Sequence, residues 1–214
     1  MAIKPILFNT EMVRAILDGR KNQTRRVIKP QPMGRLAYCC MGSNAGTWGY
    51  PGDRVYEYWG NEWREPAGLT DEERLRRWTP PCHTDDILYV RETWAENPYS
   101  DSIYLYRAFP GFEPEDEAMR EMGLKWRPSI HMPKEAARIF LRVTDVRVER
   151  LQDCGNMQAK DEGCTCCSQF ARLWDSTIKP ADLDRYGWAA NPWVWVIEFE
   201  RISKEAALGG PNNG

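Results

Sequence analysis

A chain of 214 residues, 42% hydrophobic and 28% charged, is long enough to bury one sizeable core and has the composition of a globular domain. Its net charge of -2 excludes a surface that attracts polyanions as a whole, so any recognition of phosphate must rest on a local patch. No apolar run approaches the roughly 18 residues of a membrane span, and MAIKPILFNTE lacks the apolar region of a signal peptide, so a cytoplasmic protein is the expectation.

Phe8-Asn9 leads into a helix expected over 10–18, with Thr10 as N-cap and Met12, Val13, Ile16 and Leu17 on one face. Gly19 suits the left-handed position that ends such a helix, and GRKNQTRR (19–26) reads as a polar loop held against the domain. VIKPQP breaks regular structure. Residues of about 36–83, rich in Gly, Pro and Trp, read as an insertion carrying one short helix capped by Thr70. Within it PGDRVYEYWG (51–60) faintly echoes TDDILYVRETW (84–94).

DDILYVRETW predicts a turn and a strand through Ile87, Tyr89 and Arg91, with Glu92 in its second half and Trp94 at its end. SIYLYRAF predicts a second strand. ARIFLRVTDVRVERL predicts the longest, with a bulge at Thr144-Asp145. Two helical segments are expected at about 156–162 and 168–175. WVWVIEFERI, opened by Asn191-Pro-Trp193, reads as a central strand, and residues 205–214 as a flexible tail. Several strands with few helices imply an α+β barrel or strongly curved sheet over 1–204.

Threonine is a poor nucleophile unless a neighbour accepts its proton. Lys21, pushed toward its neutral form by Arg20, Arg25 and Arg26, stands three residues from Thr24 and suits that task. Spacing alone, however, favours a solvated lysine and a threonine that caps a turn. Glu92 and Glu162 are the carboxylates suited to hold the lysine or move a proton. Phe8, Asn9, Trp94 and Trp193 are candidates to stack on or read a base, though most of the ten tryptophans are expected to pack a core. The seven cysteines lack the two-residue gap of a zinc knuckle, so reduced, unligated thiols are expected and no metal is assigned. No Gly-rich phosphate loop, HExxH or GxSxG occurs, and no cofactor is implied.

The GRKNQTRR stretch resembles the G-x-K-x-x-T-x-R element of ASCH domains, which are PUA-like barrels. DDILYVRETWA, RPSIHMPKEAARIFLRVTDVRVERLQD, the helix ending at Glu162-Gly163, LWDS and NPWVWVIEFERI are similar to longer ASCH proteins of phages, prophages and metagenomes. The resemblance spans most of residues 3–203 outside the insertion. It implies a PUA-like curved barrel and a cleft for RNA or nucleotides beside the first helix. It also implies an amidohydrolase acting on N4-acetylcytidine, with Lys21, Thr24 and Glu162 as the catalytic lysine, threonine and glutamate. Glu92 is the reserve for the third place, and Arg20, Arg25 and Arg26 are expected to stabilise charge at the site. A nucleoside is the expected partner; the alternatives are a non-catalytic RNA or modified-base reader and a ribonuclease of single-stranded RNA. The oligomeric state stays open.

Overall fold

The computed structural model describes residues 1–40, 42–50, 66–97, 103–109 and 116–209. Its frame is a mixed five-stranded sheet with helices on both sides, an α+β architecture. In chain order come β1 (Ile3–Leu7), α1 (Thr10–Leu17), β2 (Gln23–Val27), the hairpin β3 (Ala37–Cys39) and β4 (Thr47–Gly49), α2 (Asp71–Leu75) and β5 (Ile87–Arg91). The hairpin β6 (Trp94–Glu96) and β7 (Tyr104–Tyr106) follows, then α3 (Asp116–Glu121), β8 (Phe140–Arg150), α4 (Asn156–Asp161), α5 (Cys167–Thr177), α6 (Leu183–Tyr186), β9 (Trp193–Ile202) and α7 (Lys204–Leu208).

The sheet order is β1-β5-β8-β9-β2, with β1 and β5 parallel and the other pairs antiparallel. β9 is therefore interior, but β8 is the central strand. Alternation along β9 explains why its first five residues, Trp193–Ile197, are all apolar. Trp195, Ile197 and Phe199 enter the core shared with Phe8, Val13, Ile16, Leu88 and Val90. Val194 and Val196 face Phe170 and Trp174 of α5 on the other side. A strand buried on both faces needs no polar partner positions. The expected bulge is present as a register shift between Val143 and Asp145.

Several expectations need correction. The sheet is open rather than a closed barrel, since its edge strands β1 and β2 do not pair. They nonetheless approach each other, because Arg26 of β2 donates from Nη2 to the Leu7 carbonyl of β1 at 3.1 Å. Residues 23–27 form a strand rather than a loop: pairing with β9 satisfies the backbone, while ion pairs and hydrogen bonds hold the buried Gln23, Thr24 and Arg25, though Arg25 Nε has no partner among the described residues. The start of the tail is helical, α7 being capped by Ser203, whose Oγ accepts from the Ala206 amide, and anchored through buried Ala207. The cap of α1 is Asn9, whose Oδ1 accepts from the Met12 amide, and not Thr10. The 51–60 echo lies outside the described residues, but Leu36, Trp78 and Cys82 of the supposed insertion belong to the main core.

The ends of α1 and α4 explain how the two helices meet. After α1, Gly19 (φ +72°) reverses the chain while the Gly19 and Arg20 amides donate to the carbonyls of Ile16 and Ala15. After α4, Gly163 (φ +84°) does the same, with Gly163 and Cys164 donating to Lys160 and Ala159. The two ends are pressed together: a Cβ on Gly163 would lie 2.7 Å from the Ala15 Cβ. Gly163→Ala is therefore expected to destabilise the fold by about 2–4 kcal/mol, from left-handed strain plus overpacking. Urea unfolding measures it, and a variant as stable as the parent would contradict this account.

Candidate active site

Lys21 and Glu162 follow the C-terminal turns of α1 and α4, and their backbones form an isolated antiparallel bridge. The geometry brings their side chains together in the interior, where Lys21 is 3% and Glu162 3% exposed. Lys21 Nζ donates to Glu162 Oε2 at 2.7 Å, to the Gln23 carbonyl at 2.6 Å and to the Glu162 carbonyl at 3.1 Å. Three N–H groups thus meet three acceptors. Burial lowers the Lys21 pKa, against the pull of the Glu162 carboxylate, and Arg26 lowers it further.

Glu162 is shared. Its other oxygen, Oε1, accepts from Arg25 Nη1 at 3.0 Å, and Arg25 continues through Nη2 to Glu149 at 3.2 Å. Glu149 in turn accepts from Arg147 Nε at 2.6 Å. Arg147 also reaches Asp145 and Glu198, and the Gln23 amide lies between Arg147 and Arg25. A line of alternating charges therefore runs from the sheet surface to a buried carboxylate, with the Arg25 guanidinium packed over Phe170.

Thr24 and Arg26 point to the opposite face of β2 from Arg25. Arg26 Nη1 donates to Thr24 Oγ1 at 2.8 Å, and Lys21 and Arg26 both lie over the Phe8 ring. Thr24 Oγ1 has Arg26, not Lys21, as its hydrogen-bonded neighbour. A cavity of about 1010 Å³ opens along the seam between β1 and β2, lined by Phe8, Asn9, Thr24, Arg25, Arg26 and Glu162, among others. Lys21 does not line it. The residue that faces the cavity and is joined to Lys21 is Glu162, which also borders a second cavity of about 520 Å³.

The remaining candidates lie elsewhere. Glu92 is 1% exposed, and its carboxylate is held by Arg138 Nε and Nη2, both at 2.9 Å. It does not line either cavity. Trp94 packs edge-on against Tyr104 beneath Arg127. Trp193 lies in the core under Arg150. Neither ring offers a face to the main cavity, because apolar strand positions there point into packed layers. Arg20 is exposed, paired with Asp18 at 2.8 Å, and borders only the second cavity. Glu149 and Arg147 belong to the charge line but were not anticipated. The only sequence signal for them is charge on alternate positions of β8, which an exposed strand carries equally well.

Among the described residues, no group of three His, Cys, Asp or Glu side chains is placed to hold a metal, and no helix is long and apolar enough to cross a membrane. Comparison with protein-family models, with curated proteins and with solved structures finds no match to this chain.

Because Lys21 titrates below its unfolded value near 10.5, the folded chain binds fewer protons than the unfolded chain between the two values. Its contribution to stability therefore rises with pH across that window. The difference in urea-derived stability between wild type and Lys21→Met is expected to shift in favour of wild type as pH climbs toward 10.5. A difference that stays flat would mean that the lysine is not desolvated.

Proposed function

We propose that the chain is a cytoplasmic amidohydrolase of the ASCH, PUA-like type that removes the acyl group from N4-acylated cytosine nucleosides. The observation that carries the reading is a buried carboxylate, Glu162, held by Lys21 and Arg25 at a large cavity that Thr24 also lines. A nucleophile, a proton carrier and cations for developing charge are the parts that amide cleavage requires.

In this reading Thr24 Oγ attacks the acyl carbon and its proton passes to Glu162. Arg26, already donating to Oγ, favours the alkoxide character of the attacking oxygen and stays close to the oxyanion. Glu162 returns the proton to the exocyclic nitrogen, which leaves as the cytosine amine. Water then attacks the threonine ester, Glu162 takes its proton and passes it to the departing Thr24 oxygen, and the carboxylic acid is released. Lys21 keeps Glu162 in place and sets its charge. Direct proton transfer from Thr24 to Lys21 has less support, because all three Lys21 donors are engaged away from the hydroxyl.

The test is the absorbance change of N4-acetylcytidine on incubation with purified protein. Wild type is expected to turn over, with Thr24→Ala and Glu162→Gln each slower by about 10³-fold. No turnover on any N4-acylcytidine would refute the activity. An unimpaired Thr24→Ala would refute the nucleophile.

A further inference from the structure

The main cavity is far more basic than the protein that surrounds it. Lys4, Arg25, Arg26, Lys29 and Arg91 line it against one carboxylate, Glu162, in a chain whose net charge is -2. Glu162 is itself neutralised by Lys21 and Arg25, and Lys4 is paired with Asp86 at 2.9 Å. Arg26, Lys29 and Arg91 have no carboxylate partner among the described residues. A neutral nucleoside would leave this excess of positive charge unanswered.

The excess has a built focus at one end. Arg91 closes β5 in register with Leu7 of β1. Its guanidinium is fixed from behind, Nε donating to the Met132 carbonyl at 2.9 Å and Nη2 to the Ile130 carbonyl. Nη1 has no partner among the described residues. Thr93 and Ser129 line the same end of the cavity, and their hydroxyls are likewise uncommitted among the described residues. One anchored guanidinium with a spare donor, two hydroxyls and no carboxylate form a cradle for a tetrahedral oxyanion.

The cradle and Thr24 line one cavity. Arg26 touches Thr24 Oγ1 and the Leu7 carbonyl, and Leu7 lies one strand spacing, about 4.8 Å, from Arg91.

We propose that Arg91, Thr93 and Ser129 form a phosphate subsite, so that the ligand of this cavity is a phosphorylated pyrimidine, a mononucleotide rather than a nucleoside. The proposal rests on the amidohydrolase reading for the base and acyl group, but the subsite itself is read by binding. Calorimetric titration of the full chain compares cytidine 5′-monophosphate, cytidine, and a cytidine-containing dinucleotide in which the phosphate is a diester. The monophosphate is expected to bind at least about tenfold more tightly than cytidine, as a charge-assisted contact to one phosphate supplies. That ratio should fall to near one in Arg91→Met and, independently, in Thr93→Val/Ser129→Ala, which leaves the Arg91 anchoring bonds untouched.

Equal affinity for cytidine and its monophosphate overturns the proposal, as does a ratio that survives in the hydroxyl double variant. A dinucleotide that binds best, through Arg91, overturns the mononucleotide ligand in favour of a nucleic-acid chain. Activity separates the two readings. An Arg91-dependent preference for the monophosphate with no hydrolysis of its N4-acetyl form keeps the subsite and removes the amidohydrolase. Hydrolysis of N4-acetylcytidine with no gain from phosphate does the reverse.

Discussion

A carboxylate buried between two buried cations is the constraint around which the rest of the molecule is arranged. Isolated in the interior, Glu162, Lys21 or Arg25 would each carry a desolvation cost of several kcal/mol. Together they satisfy one another, with Lys21 on Oε2 and Arg25 on Oε1. The arrangement needs the ends of α1 and α4 in contact, because Lys21 and Glu162 lie within four residues of the last residue of those helices. Helix C-termini also concentrate carbonyl oxygens, and Lys21 takes one of them, that of Glu162. Glycine at 163 is what lets the two ends come close enough.

The second organising feature is the seam between β1 and β2. Backbone pairing between these edges would close the sheet and fill the space with a ladder. Instead the Arg26 side chain spans the gap, donating to Leu7, Thr24 and Arg25. An arginine fork ties the edges at one point and leaves room beside it, which is the cavity. The guanidinium has five donors in a rigid plane, so it can satisfy carbonyls on both strands while keeping a cationic face toward a ligand. Opening the sheet and creating a basic cavity are therefore one structural event.

Charge distribution links these features. The acidic groups of the chain largely face solvent or pair in the Arg147 cluster on the sheet surface, while the cavity holds cations almost alone. Net charge averages over the two and conceals the contrast.

The periodicity of α1, the glycine at its end, the long bulged strand and the doubly buried last strand were all legible in the sequence, because each depends on neighbours within a few residues. So was the coincidence of a helix stop with a lysine and a threonine. What residue order alone could not decide was partner choice at a distance. Glu162 reaches Lys21 across 141 positions and Glu92 is claimed by Arg138 across 46, and no local pattern distinguishes the two glutamates. The same holds for Trp94 and Trp193, whose rings are ordinary candidates for stacking until packing turns them into the core. The polar run QTRR also misled at 23–27, where a buried strand is tolerated only because its charges meet opposite charges brought in just after α4 and by β8. Local sequence determined the elements and the turns that end them. The tertiary structure decided which charges became buried pairs and which line a cavity, because burial energies depend on what lies within a few ångströms and not on distance along the chain.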